Sequence, residues 1–269
     1  MLRFVVICLC LANTAQAAPR ESRDVAYGSD RKQRYDVYWD DALKGAPMIV
    51  MLHGGAWAIG DKGHRWVWKD KAAHFRAEGW VFVSVNTRLL PEAAPDAQAR
   101  DLAEALADIQ RRGAEWGGNG GNVVLMGHSA GAHLAALVGT DLDLQRKHRI
   151  KPLRAVVSLD SATLDVPAAM ETRPSRLSRN AFGTDPDYWP DVSPSHQLDR
   201  GAPPVLAVCS TRRPAPCPDA RDLKRTGSRK GVPVTVLPVA LSHGEINGEL
   251  GKPSTYTDAV TGWIADRVR

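Results

Sequence analysis

Three short stretches carry side chains that can do chemistry together: GHSAG at Gly127–Gly131, HGGAW at His53–Trp57 and LSHGEIN at Leu241–Asn247. GHSAG lies between an apolar run, NVVLM, and a helix-forming one, AHLAAL. In that setting G-x-S-x-G makes a strained strand-to-helix turn that pushes the serine outward, with a helix N-terminus behind it to stabilise negative charge. Ser129 is weakly nucleophilic until a base takes its proton. Of the eight histidines, His243 is the best base, because it sits just past the last predicted strand and follows the serine in the chain. His196 is the alternative. His128, with its side chain turned away from the nucleophile, and His133 are assigned packing roles. Five residues apart rather than four, these two do not form a metal-binding pair on one helix face. HGGAW follows the apolar run PMIVML, so its amides lie at the same edge of a sheet as Ser129, and its glycines let the backbone approach a ligand closely. The N–H groups of Gly55, Ala56 and Ala130 can then form an oxyanion hole. The chemistry implied is acyl transfer from an ester, for which neither cofactor nor metal is needed.

Groups so distant in sequence meet only if a scaffold gathers them at one edge. Short β-branched runs alternate with longer amphipathic ones, the pattern of parallel βαβ units. Strands are predicted over Pro47–His53, Trp80–Asn86, Asn122–Gly127, Arg154–Asp160, Pro203–Cys209 and Val232–Val239. They are nearly continuous apolar runs, as in strands covered by helices on both faces. Helices are predicted over Trp66–Glu78, Ala97–Arg112, Ala130–Thr140, Asp219–Arg229 and Thr255–Val268. DVAYG and QRYDVYW alternate as an antiparallel edge hairpin would. Ser161–Arg200, rich in Pro, Ser, Arg and Asp without a strong period, is expected to cross the sheet as a small lid or to be an inert surface excursion.

HGGAW, NTRLLPEAAPDAQARD (Asn86–Asp101), GHSAGAHLA and LSHGEIN together resemble the α/β-hydrolase superfamily. Within it they are similar to HGG-type esterases: those related to hormone-sensitive lipase, bacterial feruloyl-esterase-like enzymes and arylformamidases. The resemblance implies an α/β-hydrolase fold, a mostly parallel central sheet flanked by helices on both faces. NTRLLPE has Thr87 where the esterases' YRLxPE segment has tyrosine, a departure that bears on packing near the sheet edge. The resemblance would also supply an aspartate just beyond PPVLAVC. Here that turn reads STRRPAPC, with Arg213 or Pro214 at the acid's position, and an arginine cannot orient an imidazolium. Asp160, closing the preceding strand in LDSA, resembles the acid of pancreatic-type lipases and is taken to complete Ser129 and His243, since a strand tip fixes a carboxylate better than a loop. Asp165, further along that loop, and Asp219, after Cys217, are the alternatives. Glu245 is assigned to the surface.

The first seventeen residues, MLRFVVICLCLANTAQA, combine a basic start, an apolar run and an A-x-A ending, and read as a secretory signal peptide cut near Ala17. A buried N-terminal helix is the alternative. Residues 18–269 are expected to form one domain, secreted or periplasmic, in which Cys209 and Cys217 are joined. No later segment has the length and apolarity of a membrane span. The formal charge of +5 becomes +4 without Arg3, with 34 basic and 30 acidic residues. Arg221–Lys230, the densest basic run, lacks interleaved aromatics and reads as a solvated helix face, so no nucleic-acid partner is expected. The expected partner is a small-molecule ester; oligomeric state has no sequence signal. Trp57, Trp66 and Trp68 are either core or the lining of an aromatic pocket. The expected activity is hydrolysis of short-chain or aromatic esters, including acetyl or feruloyl groups on plant polysaccharide. Arylformamidase-like amide cleavage and a non-catalytic ligand-binding role are the alternatives, the latter favoured by the missing aspartate.

Overall fold

The runs read as strands lie side by side in one eight-stranded sheet in a computed structural model, which describes residues 18–161, 163–172 and 174–268. The expected leader, residues 1–17, lies outside the described residues. In chain order the elements are β1 (Pro19–Ala26), β2 (Arg34–Asp40), β3 (Ala46–Leu52), α1 (Arg65–Ala77), β4 (Val81–Val85), α2 (Pro95–Arg112), β5 (Gly118–His128), α3 (Ala130–Thr140) and α4 (Leu142–Lys147). There follow β6 (Ala155–Leu159), α5 (Val166–Thr172), α6 (Arg176–Phe182), α7 (Pro194–Gln197), β7 (Val205–Ser210), α8 (Pro216–Lys230), β8 (Val234–Val239), α9 (His243–Gly248) and α10 (Thr255–Val268). The sheet order is β1-β2-β4-β3-β5-β6-β7-β8. The hairpin β1–β2 adds to β4 antiparallel, and every other pairing is parallel.

Strand periodicity explains why the central runs are apolar throughout. Met48, Val50, Leu52, Val123 and Leu125 point to one face and pack with Leu102 and Leu106 of α2 and Leu134 of α3. Their alternates Ile49, Met51, Val124 and Met126 point to the other face, against Phe75 of α1 and Val260 and Ile264 of α10. Neither face meets water, so both registers of a strand favour apolar residues. A third cluster seats Leu223 and Cys217 of α8 on Val156 and Ala207. α8 has proline in its first turn and ends at Gly231, whose φ of 75° suits a residue without Cβ.

The differences from the sequence reading are local, and short α4 and α9 are among the elements it did not predict. β5 reaches back to Gly118, which pairs with Ala46 through a glycine-rich segment carrying no apolar signal. The Ser161–Arg200 excursion holds three short helices, α5 to α7, where no periodicity announced them. No helix among the described residues is long and apolar enough to cross a membrane. Because β3 to β8 run parallel, their C-terminal ends share one edge, where open α/β sheets bind ligands.

Candidate active site

Strand register sets the first two side chains. His128 pairs with Leu159 and Leu159 with Val208, so Ser129 and Asp160 each stand one residue beyond the paired ends of adjacent strands. The Ser129 N–H donates to the Leu159 carbonyl at 3.0 Å and the Asp160 N–H to the Val208 carbonyl at 2.8 Å. Both residues have φ of 57°, a left-handed conformation that costs a non-glycine residue on the order of 1–3 kcal/mol and is held only by well-packed surroundings. Gly127 and Gly131 allow that packing. A Cβ on Gly127 would lie 2.1 Å from the Gly131 carbonyl oxygen, and one on Gly131 would lie 2.2 Å from that of His53. The second contact seats the GHSAG turn directly on HGGAW.

His243 is the first residue of α9, and a capping box fixes that helix start. The Ser242 hydroxyl accepts the Glu245 N–H at 3.3 Å and the Glu245 carboxylate accepts the Ser242 N–H at 2.7 Å. The Lys71 ammonium, buried on α1, donates to the carbonyls of Asn247 (2.5 Å) and Trp66 (2.8 Å) and ties α9 to α1.

The imidazole lies between the other two groups. Its Nδ1–H donates to Asp160 Oδ2 at 2.7 Å, which leaves Nε2 as an acceptor 3.0 Å from Ser129 Oγ. Asp160, its side chain without exposure, also accepts the Ser210 N–H on Oδ1 at 2.7 Å. Burial pulls its pKa up, but the hydrogen bonds from His243, Ser210 and Arg213 outweigh that and hold the carboxyl below its ordinary value. The carboxylate is thus ionised and aimed at the ring.

Arg213 was missed as a member of this cluster. Its Nη1 donates to Asp160 Oδ2 at 2.5 Å and stands 2.9 Å from His243 Nδ1, so two donors converge on one oxygen. It belongs to the loop that the Cys209–Cys217 disulfide closes. The signal was the pair of arginines at the vacant acid position, read as an obstacle when one of them in fact reaches the relocated acid.

Other candidates fall elsewhere. Asp165 faces His196 at 3.6 Å and accepts the Ala168 N–H at the start of α5. Asp219 accepts the Leu164 N–H at 2.7 Å, joining α8 to the loop after β6; burial pushes its pKa up to about 7. Glu245, capping α9, also pairs with Arg212 at the surface. His133 accepts from the Trp57 indole and donates to the Val192 carbonyl, and burial lowers its pKa to about 4. His128 corrects the expectation that its side chain turns away: its ring packs on that of His243, centroids 4.5 Å apart, and its Nε2–H donates to the His243 carbonyl at 2.9 Å. Burial, then the charge of His243, push its pKa down to about 3, so it is a neutral prop.

Ser129, Ala130, Ala56 and Trp57 open on a cavity of about 490 Å³. Gly55, Ala56 and Trp57 have φ of 131°, 52° and 60°, a run of positive values that forms a tight turn. Ala130, first in α3, has no helical partner for its N–H. Gly55 lies behind the lining, where its carbonyl accepts the amides of Ala58 and Ile59. Thr163, Thr172, Ser175, Leu177 and Ser178 make the excursion one wall of the cavity. Phe182 anchors that wall edge-on to Trp57 and His133. Trp66 and Trp68 do not line the cavity: Trp68 stacks on Tyr38 and Trp66 lies on the surface.

A nucleophile elbow at the tip of a parallel strand, with its histidine beyond the last strand, defines an α/β-hydrolase. The chain belongs to the BD-FAE family, whose model matches residues 35–215. It is 28% identical over 205 residues to esterase LipC of Mycobacterium tuberculosis, covering 71% of this chain and 50% of that protein. It is 32% identical over 116 residues to a probable isoprenylcysteine alpha-carbonyl methylesterase of Oryza sativa, 42% of this chain and 26% of the other. The chain thus spans half or less of the length of these relatives. A truncated carbohydrate esterase from gut microbiota superposes with a TM-score of 0.80 at 19% identity, over 93% of this chain and 96% of that one. Butyrate-bound esterase 2 of Thermogutta terrifontis does so at 0.72 and 20%, over 93% and 94%. These two share the fold.

Proposed function

We infer that the protein is a serine carboxylesterase that hydrolyses short-chain or aromatic esters through an acyl-enzyme on Ser129, with His243 as base and Asp160 as the acid behind it. The observation that carries this reading is the His243 ring bonded on one side to a buried carboxylate and on the other to Ser129 Oγ. His243 Nε2 takes the hydroxyl proton as Oγ attacks the ester carbonyl; the amides of Ala56 and Ala130, with Gly55 at the preceding peptide, receive the oxyanion. The imidazolium then protonates the departing alcohol, and a water molecule, deprotonated by the same nitrogen, releases the acid. The name esterase borne by LipC is in line with this chemistry. A cavity of moderate volume with threonine and serine hydroxyls on its wall suits a small or polar ester better than a long acyl chain. The non-catalytic alternative rested on the want of an acid, and the contact of Asp160 with His243 removes that ground. Export from the cytoplasm is part of the proposal, supported by the leader-like first seventeen residues and by the Cys209–Cys217 disulfide.

Incubation with a serine-directed phosphonate is expected to give a single adduct on Ser129, and p-nitrophenyl acetate to be hydrolysed by wild type and not by Ser129→Ala. A protein that stays unlabelled and inactive would sink the proposal.

A further inference from the structure

Neutralising Asp160 does not account for Arg213. The carboxylate already has donors from the His243 ring and the Ser210 amide, yet the guanidinium crowds onto the same oxygen as the ring. Standing 2.9 Å from His243 Nδ1, its positive charge opposes the one the ring acquires when Ser129 attacks. Arg213 is also not enclosed: 35% of its side chain is exposed, and it lines the same cavity as Ser129. Among the described residues only Nη1 is engaged, and the Nε–Nη2 edge, the geometry that grips a carboxylate with two parallel bonds, makes no hydrogen bond. Arg213 and Asp160 are the charged groups among the described residues that line the cavity, and the Asp160 side chain has no exposure. The charge that the cavity offers a ligand is therefore a cation with an idle edge.

We propose that Arg213 is a specificity residue that binds a carboxylate on the alcohol half of the ester, an assignment that rests on the esterase reading above. The alcohol half follows from the proton's path. His243 Nε2 must reach the leaving oxygen, so the departing alcohol lies along the histidine, the side of the cavity on which Arg213 stands. A carboxylate there occupies the idle edge and offsets the guanidinium charge, which eases formation of the imidazolium. A neutral alcohol leaves that charge unopposed.

4-Acetoxybenzoate and its methyl ester separate the two cases. In both, the acetyl group passes to Ser129 Oγ, the phenol leaves with the proton from His243, and water releases acetate. The ratio of kcat/KM, anion over methyl ester, is expected to be ~10–100-fold higher in wild type than in Arg213→Gln, the range of a hydrogen bond to a charged group. The difference shrinks as salt is raised, and Arg213→Lys, which keeps the charge without the fork, falls between. Inhibition of wild type by 4-hydroxybenzoate against methyl 4-hydroxybenzoate reads the same subsite without a substitution, and the anion is expected to bind more tightly. Equal ratios in wild type and Arg213→Gln, or no advantage of the anionic inhibitor, overturn the inference and leave the esterase reading standing. Wild type inactive on both esters, with Ser129 unlabelled by phosphonate, overturns the two together.

Discussion

Ser129 and Asp160 share a φ of 57° at neighbouring strand tips, and on the proposed mechanism this lets the acid come from β6 although the family pattern places it after β7. The shift costs the site nothing in reach, because His243 still bridges the two at 2.7 and 3.0 Å. Asp160→Asn is expected to lower kcat by about 10⁴, the scale found when the acid of a serine protease triad is made neutral and the imidazole adopts the wrong tautomer. Steady-state hydrolysis of an aryl acetate reads this directly, and a variant as active as wild type excludes Asp160 from the mechanism. The meeting of Ser129, His243 and Asp160 was legible in the sequence because each occupies a position the scaffold defines: an elbow, the segment after the last strand, a strand tip. Arg213 was not, because residue spacing locates a Cα while a long side chain delivers its charge several ångströms away, here onto a carboxylate fifty-three residues distant in the chain.

Elements follow the same division. α3 and α10 match their predicted bounds, Ala130–Thr140 and Thr255–Val268: α3 is an apolar run buried on every side, and in α10 fourteen residues give the stripe of Tyr256, Val260 and Ile264 room to repeat. α7 has four residues and α9 six, so neither completes two turns; α7 starts on Pro194 without a side-chain cap, and the signal of α9 is a cap instead of a period. In α9 that cap fixes His243, the proposed base. Ser242→Ala is expected to cost about 1 kcal/mol of stability and to lower kcat several-fold by loosening the imidazole. Denaturant unfolding and turnover measured on one preparation check both, and an unchanged kcat would mean that Lys71 and His128 hold α9 without the cap. The disulfide belongs to this scale too. It spans the end of β7 and the start of α8, so Cys209→Ser with Cys217→Ser is expected to lose about 2–3 kcal/mol by urea unfolding. A smaller loss would show that burial of Leu223 and Ala220 already fixes α8.

At the scale of the molecule, a sheet buried on both faces made the fold legible. Each interior strand had to be apolar at nearly every position, with the buried hydroxyls of Ser84, Ser158 and Ser210 as exceptions, and the amphipathic runs between strands had to be the helices that cover it. The joints between layers were hidden, because they are made by single polar groups whose partners only the packing reveals. Asp219 is one, linking α8 to the loop after β6 through the Leu164 amide. Burial, against the opposing backbone hydrogen bonds of Leu164 and Asp165, raises its pKa from 3.8 to about 7. The folded protein therefore holds a proton on Asp219 that the unfolded chain has released above about pH 4. The sign follows: the contribution of this group to stability is complete below pH 4, declines as pH rises and is gone above pH 7. Asp219→Asn cannot lose that proton. Its melting temperature is expected to lack the part of the wild-type decline between pH 4 and 7 that Asp219 supplies, while turnover stays within a few-fold because the His243 Nδ1–H donates to Asp160 and not to Asp219. Thermal melts of both proteins across that range provide the test. Parallel curves would show that Asp219 is ionised in the native state, and the link between α8 and the sheet would then be a carboxylate bonded to amides.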